Sequence, residues 1–148
     1  MESFTTRRHI RMSDADIYGN VHNLSMIRYA EDTAVELAQM LQQEHGVESY
    51  WGVAEIQAGF TMPLPWTTAE VELSLQAEKV GRASLTLLTE ITSEHGTHAR
   101  VRSRVIRFDS TGNRAAISPE ERAQYSRYLT PGNQSTGAAT PITAVSSR

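Results

Sequence analysis

The stretch Leu24–His45, LSMIRYAEDTAVELAQMLQQEH, decides the fold because nothing in it breaks a helix. It contains no proline and no glycine, and most of its residues are good helix formers. Apolar residues recur at helical spacing, at Leu24, Ile27, Ala34, Leu37, Ala38 and Leu41. Asn23 suits the N-cap, and Gly46 lies where a helix commonly stops. The pattern predicts one dominant helix, about 33 Å long at 1.5 Å per residue.

The segments on either side of this helix change to a period of two. Before it, Phe4–Met12 alternates as a strand does. After it, apolar and polar residues alternate over four segments, at 54–62, 69–78, 83–91 and 99–105. Gly81 and Gly96 mark tight turns between the later segments. The pattern predicts an antiparallel sheet with one buried face and one wet face.

The end of the chain predicts a short helix followed by a tail. Ser118-Pro119-Glu120-Glu121 has a capping serine, a proline at the first helical position and a glutamate at the third, and the helix should run to about Tyr128. Residues 130–148 have few large apolar groups, which favours disorder. We therefore expect one α+β domain over residues 1–129, in which a roughly five-stranded antiparallel sheet wraps a long central helix.

The composition excludes several classes of function. A net charge of -3 lacks the basic surplus that nucleic-acid binding requires. The absence of cysteine excludes thiol nucleophiles and disulfides. The five histidines are scattered, so we expect no metal site and no cofactor. No apolar run is long enough for a membrane span or a signal-peptide core, which favours a cytoplasmic protein with no membrane partner.

Residues Gly19-Asn20-Val21-His22-Asn23, followed by Ile27-Arg28-Tyr29 and Glu31, resemble the signature of the 4-hydroxybenzoyl-CoA thioesterase-like family, which has the hotdog fold. In that family the loop commonly reads Asp-x-x-Gly-His-Val-Asn-Asn. Further elements agree in order and spacing: Phe60-Thr61-Met62-Pro63-Leu64, Val80-Gly81-Arg82-Ala83-Ser84, and Asp109 with Ile117-Ser118-Pro119. The resemblance spans about residues 4 to 128. It implies a thioesterase that hydrolyses an acyl-CoA or acyl-carrier-protein thioester.

The chain departs from this family pattern at four positions. Asn20 and His22 exchange the residue types of the common loop. Met26 lies where a tyrosine is usual, and Ala34 lies where an arginine is usual. These differences bear on substrate and mechanism more than on fold.

The resemblance makes Asp16 the candidate catalytic residue, either as a nucleophile on the thioester carbonyl or as a base toward water. The first-turn amides of the helix would stabilise the oxyanion, with Gly19 permitting close approach and Asn23 as the cap. His22 is a further candidate as base or donor, although such a histidine more often only forms hydrogen bonds. Asp14 is an alternative base, and Asp-x-x-Gly is also a common structural turn.

Two further groups of residues receive predicted roles. Glu31, two turns into the helix, is interpreted as a structural acid and alternatively as a catalytic one. Substrate contacts are predicted at Tyr18, Met26, Phe60 and Arg82, with Arg82 binding a ligand phosphate. The acyl group would lie between helix and sheet, near Met26, Phe60 and Met62, with Trp51 and Trp66 flanking the second strand.

Three arginines, Arg100, Arg102 and Arg104, alternate along one predicted strand. Such a row could attract a nucleotide or an acidic carrier protein. We favour the alternative that they pair across strands with Glu70, Glu72 or Glu78 on a solvated sheet face.

An open strand edge predicts a homo-oligomer, either a homodimer with a continuous sheet or a homotetramer. Three alternatives to a thioesterase acting on free CoA esters stay open. One is a hydratase or dehydratase on the same fold. Another is a non-catalytic hotdog or cone-shaped module that binds small ligands, and the third is a partner of an acyl-carrier protein in a biosynthetic pathway.

Overall fold

The computed structural model describes residues 2–46 and 49–130, and the predicted tail beyond 130 lies outside them. The elements in chain order are β1 (Phe4–His9), α1 (Asn23–His45), β2 (Tyr50–Phe60), β3 (Glu70–Val80), β4 (Ser84–Ser93), β5 (Gly96–Phe108) and α2 (Pro119–Ser126). Single turns of 3-10 helix lie at Met12–Asp14 and Trp66–Thr68. Thr130 still belongs to the sheet region, because its amide donates to the Ala77 carbonyl at 2.8 Å.

All five strands form one antiparallel sheet in the order β1-β3-β4-β5-β2, and α1 packs against its inner face. β1 pairs with β3 from Phe4↔Leu75 to His9↔Glu70, so the connection to α1 begins at the Glu70 end of β3. β2 pairs with β5, and its other edge faces no strand within the described residues. The predicted α+β fold, a long helix against a five-stranded antiparallel sheet, is confirmed.

The buried face of α1 differs from the predicted stripe. Leu24 is 68% exposed, and Ala34 and Ala38 are only partly buried. The residues that enter the core are Met26, Tyr29, Ala30, Thr33, Leu37 and Leu41. The predicted stripe instead borders a groove beside β2, so its apolar character marks a second surface next to the core.

Two strand boundaries also differ from the expected ones. β1 ends at His9 because the chain turns into the 3-10 helix Met12–Asp14. β2 begins at Tyr50, four residues before the predicted start, and Trp51 therefore lies inside the strand. A bulge between Val53 and Glu55 shifts the register there, and it interrupts the alternation from which a strand is predicted.

Ion pairs cover the outer face of the sheet. The three arginines of β5 pair with glutamates of neighbouring strands, as Arg100–Glu90, Arg102–Glu78 and Arg104–Glu55. Of the predicted partners, only Glu78 is used, since Glu70 and Glu72 pair with Arg7 on β1. The predicted cross-strand pairing is thus present, with two of its partners exchanged.

The predicted capping box of α2 is confirmed. Ser118 Oγ accepts from the amide of Glu121, and the Glu121 carboxylate accepts from the amide of Ser118. Glu121 is 1% exposed and also binds the Arg107 guanidinium and the Ser49 hydroxyl. These bonds hold α2 against β5 and against the start of β2.

Candidate active site

Asp14 anchors the connection between β1 and α1. Its Oδ2 accepts from the Tyr29 hydroxyl at 2.5 Å and from the Arg11 amide at 3.2 Å. Its backbone carbonyl accepts from the His22 amide at 2.8 Å and from the Ser25 hydroxyl at 3.4 Å. Both ends of the loop and the first turn of α1 therefore meet at one residue. These bonds favour a positioning role for Asp14 over the alternative of a catalytic base.

Tyr29 is the partner that makes this anchor stable. Its side chain is buried, and burial, together with the hydrogen bond to the Asp14 carboxylate, raises the pKa of the phenol far above its ordinary value. The hydroxyl therefore stays protonated and donates to Asp14 at every physiological pH.

Asp16 has two carboxylate oxygens in different states. Oδ1 accepts from the amides of Tyr18 at 2.9 Å and Asn20 at 3.1 Å. Oδ2 accepts no hydrogen bond from the residues that the structure describes. The side chain is half-buried. One oxygen thus fixes the loop, and the other is available to a ligand.

The same turn occurs a second time in the chain. Asp109-Ser110-Thr111-Gly112-Asn113 repeats the Asp-x-x-Gly-Asn pattern of residues 16–20. Asp109 Oδ1 likewise accepts from the amides at the third and fifth positions, at 2.9 and 3.0 Å. The turn geometry alone is therefore structural. The two copies differ in their place, because only the loop at Asp16 leads into the N-terminus of α1.

Gly19 and its neighbours join this loop to the segment after β2. Gly19 has φ of +79°, which favours glycine. Its carbonyl accepts from the Trp66 amide at 3.1 Å, and the amide of Val21 donates to Leu64 at 2.7 Å. A Cβ at Gly19 would meet only Trp66, at 4.0 Å, so the backbone angle requires glycine here and the available space does not.

His22, not Asn23, is the N-cap of α1. Its Nδ1 accepts from the Leu24 amide at 3.1 Å, and its carbonyl accepts from Ser25 and Met26. Because Nδ1 is the acceptor, the neutral ring carries its proton on exposed Nε2. Asn23 becomes the first helical residue, and its amide has no partner within the described residues. That N–H lies at the positive end of the helix dipole, where an anion is stabilised.

A cavity of about 260 Å³ lies between α1 and the inner face of the sheet. Ala34 and Ala38 line it from α1, while Trp51 and Val105 line it from the sheet. Glu31 also lines it, and its Oε1 accepts from the Ser103 hydroxyl at 2.9 Å. The predicted structural role of Glu31 fits this bond, which joins α1 to β5.

Residues 10–126 match the sequence model of the thioesterase-like superfamily, which is 117 of the 148 residues. The chain belongs to this superfamily. No curated protein has a sequence that matches it significantly.

Solved structures agree with this membership in their fold. A predicted thioesterase from Bacillus stearothermophilus superposes with a TM-score of 0.78 at 20% identity, over 87% of this chain and 98% of the other. A Thermus thermophilus thioesterase complexed with coenzyme A and Zn gives 0.71 at 22% identity, over 86% and 96%. A Staphylococcus aureus protein in complex with CoA gives 0.75 at 15% identity, over 95% and 90%. The thioesterase-like chain thus has the expected hotdog fold.

The structure brings only some of the predicted substrate contacts of this thioesterase-like protein near the loop. Tyr18 is at the loop tip and 80% exposed, and Phe60 is partly buried beside the core residues that adjoin the loop. Met26 is 2% exposed and belongs to the core, so we do not retain it as a substrate contact. Arg82 is exposed beyond Val80, separated from the Glu70 end by roughly 35 Å of strand. One chain therefore does not bring Arg82 to Asp16.

Sequence reasoning missed the anchoring role of Tyr29 and the cavity position of Trp51. Tyr29 lies two turns into α1 and its partner Asp14 lies before the helix, so no local pattern joins them. In the described parts of the chain, no group of three or more His, Asp or Glu side chains is arranged to hold a metal ion. No helix among them is long and apolar enough to cross a membrane.

We predict that Tyr29→Phe loosens the loop. Losing a hydrogen bond to a charged carboxylate should lower the free energy of unfolding by about 1.5–3 kcal/mol, measured by urea denaturation. Amide exchange of His22 should accelerate as well, because its acceptor is the Asp14 carbonyl. Tyr18→Phe is the control and should change stability by less than about 0.5 kcal/mol, since its side chain is exposed. Equal effects of the two variants would contradict the anchor.

Proposed function

We propose that this chain hydrolyses an acyl-CoA thioester and that the Asp16 carboxylate carries the reaction. The supporting observation is the division of labour at Asp16, whose Oδ1 is held by two amides while Oδ2 accepts nothing from the described residues. A bridge between Ala15 and Val21 holds the two sides of the loop together. The carboxylate is thereby kept a few residues from the unpaired Asn23 amide.

Two routes use the same atoms. In the first, Oδ2 attacks the carbonyl carbon, the carbon–sulfur bond breaks, and water then hydrolyses the acyl anhydride on Asp16. In the second, Oδ2 accepts a proton from a water molecule as that water attacks the carbonyl carbon. Both routes yield a carboxylic acid and the CoA thiol.

The other loop residues have supporting roles in this proposal. The Asn23 amide would donate to the oxyanion that forms on the carbonyl oxygen, with the helix dipole adding to the stabilisation. His22 cannot serve as a base through Nδ1 while that atom caps the helix, so its Nε2–H would act as a donor to the departing sulfur. Glu31 would hold α1 against β5 through Ser103 and would have no chemical role.

The solved relatives support CoA esters as the substrate class. The Thermus thermophilus thioesterase was solved with coenzyme A, and the Staphylococcus aureus protein was solved with CoA. The cavity beside α1 is the natural place for the acyl group, because the stripe that begins at Leu24 continues through Glu31 and Ala34 into its wall. Acyl-carrier proteins are the alternative donor of the same thioester.

We predict that Asp16→Asn lowers kcat for acyl-CoA hydrolysis by about 10²–10⁴-fold, the usual size of one acid–base or nucleophilic contribution. The amide oxygen can still accept from Tyr18 and Asn20, so the turn should persist. Asp109→Asn is the matched control, because it makes the same change in the same turn at a different place. Unchanged hydrolysis by Asp16→Asn would instead favour the non-catalytic ligand-binding alternative.

We also propose that the working form is a homodimer joined along β2. β2 has eleven residues and a free edge in the described structure, with Val53 50% exposed and Ile56 40% exposed. Val35 of α1, 55% exposed, faces the same groove. β1, the other edge, is only six residues long and is charged at Arg7, Arg8 and His9. A long apolar edge favours pairing with a second copy, and a short charged edge opposes it.

The dimer predicts that Ile56→Glu dissociates the protein, because a charge would be buried in the strand pair. Sedimentation velocity should show a dimer for the wild type at micromolar concentration and a monomer for this variant. Thr5→Glu, on the exposed side of β1, should leave the dimer intact. A wild-type monomer, or a dimer that Ile56→Glu does not weaken, would overturn the proposed interface.

A further inference from the structure

The cavity beside α1 is sized for one acyl group. Its volume of about 260 Å³ lies just below the range of pockets that enclose whole drug-sized ligands, so a complete CoA ester does not fit inside it. Ala34 and Ala38 leave room on the α1 side, and Leu85, Leu87 and Val105 form an apolar wall opposite. The inference below rests on the proposed hydrolysis of acyl thioesters.

The two ends of this cavity lie far apart along α1. Glu31 lines the end nearer to the catalytic loop, and Gln42 lines the end near the helix C-terminus. Eleven residues of helix separate them, about 16 Å. Trp51, at the start of β2, lines the cavity and follows closely on the end of α1. An acyl group that enters past Glu31 would therefore meet Trp51 with its distal part.

Trp51 offers an unused hydrogen-bond donor. Its Nε1 is buried and has no acceptor in the described structure. The indole packs edge-on against Tyr125, with ring centroids 5.6 Å apart and planes at 75°, which restrains its orientation. A buried N–H without an acceptor costs about 1–3 kcal/mol, so a ligand atom that accepts this bond would gain affinity.

We propose that the preferred substrate carries a neutral hydrogen-bond acceptor, such as a keto or ether oxygen, near the distal end of its acyl group, and that Trp51 selects it. A cationic group is excluded because it has no lone pair for the indole N–H. A terminal carboxylate is disfavoured because Glu31 lines the same cavity and the Glu121 carboxylate lies directly behind Ser49. A plain hydrocarbon chain fits the walls and leaves the N–H unpaired.

Matched substrates test this specificity. Medium-chain to long-chain acyl-CoAs are compared with analogues that carry a keto group on the penultimate carbon. The wild type should prefer the keto analogue by about tenfold in kcat/KM at the chain length that reaches Trp51. Trp51→Phe, which keeps an aromatic ring, should reduce this ratio to about one and should be at least as stable as the wild type. Tyr50→Phe, on a neighbouring ring outside the cavity lining, should retain the preference.

A binding measurement separates failure of this inference from failure of the hydrolysis. The chain has two tryptophans, so the indole N–H signals of Trp51 and Trp66 can be followed by NMR during titration with free keto acids and with their parent acids. Trp51 should shift downfield with a keto acid alone, with Trp66 as the internal reference. If no ester is hydrolysed, this shift still supports the acceptor site. No keto preference at any length, a preference kept by Trp51→Phe, or no selective shift would overturn it.

Discussion

The hydrogen bond from the Tyr29 hydroxyl to the Asp14 carboxylate is the constraint on which the candidate site depends. It joins the end of β1 to a buried turn of α1, and the Asp14 carbonyl then holds the amide of His22. His22 is thereby kept extended, which is the conformation that an N-cap needs. The Asp16 turn lies between these two fixed points. Its chemistry follows from its position, because Asp109 forms the same turn elsewhere without a helix behind it.

Much of the fold follows from patterns that span a few residues. The helical spacing of residues 24–45, the αL glycine at Gly46 and the capping box at Ser118 were all predicted and are present. The helix start was wrong by one residue. Asn23 and His22 can both cap a helix, and the choice between them depends on the bond from His22 to Asp14, which no local rule contains. The bulge at Val53 hid the first part of β2 in the same way.

The candidate site was predictable only in part, since its parts come from distant segments. The loop and Asp16 stand out through the family resemblance. The cavity does not, because Trp51 and Tyr125 meet only after the chain has folded. Arg82 matches a family turn, yet the strand order places that turn at the far end of β3. Met26 differs from the usual tyrosine and enters the core, whereas Ala34 differs from the usual arginine and leaves open space in the cavity.

The proposed reaction and the proposed dimer share one groove. The apolar residues that border it, Val35, Val53 and Ile56, are exposed in the single chain, and a second copy along β2 would cover them and shield the acyl group from water. The convex face of the sheet differs, because its arginines are paired with glutamates and leave it hydrated. The arrangement therefore assigns association to one face of the molecule and solvent to the other.

The most direct test of the central claim is a crystal structure with an acyl-CoA analogue in which a methylene group replaces the ester sulfur. The proposed mechanism predicts that its ketone oxygen accepts from the Asn23 amide and that its carbonyl carbon lies in contact with Asp16 Oδ2, or one water molecule away. An analogue bound elsewhere, with Oδ2 of Asp16 facing solvent and the Asn23 amide unpaired, would contradict the assignment of this loop as the catalytic centre.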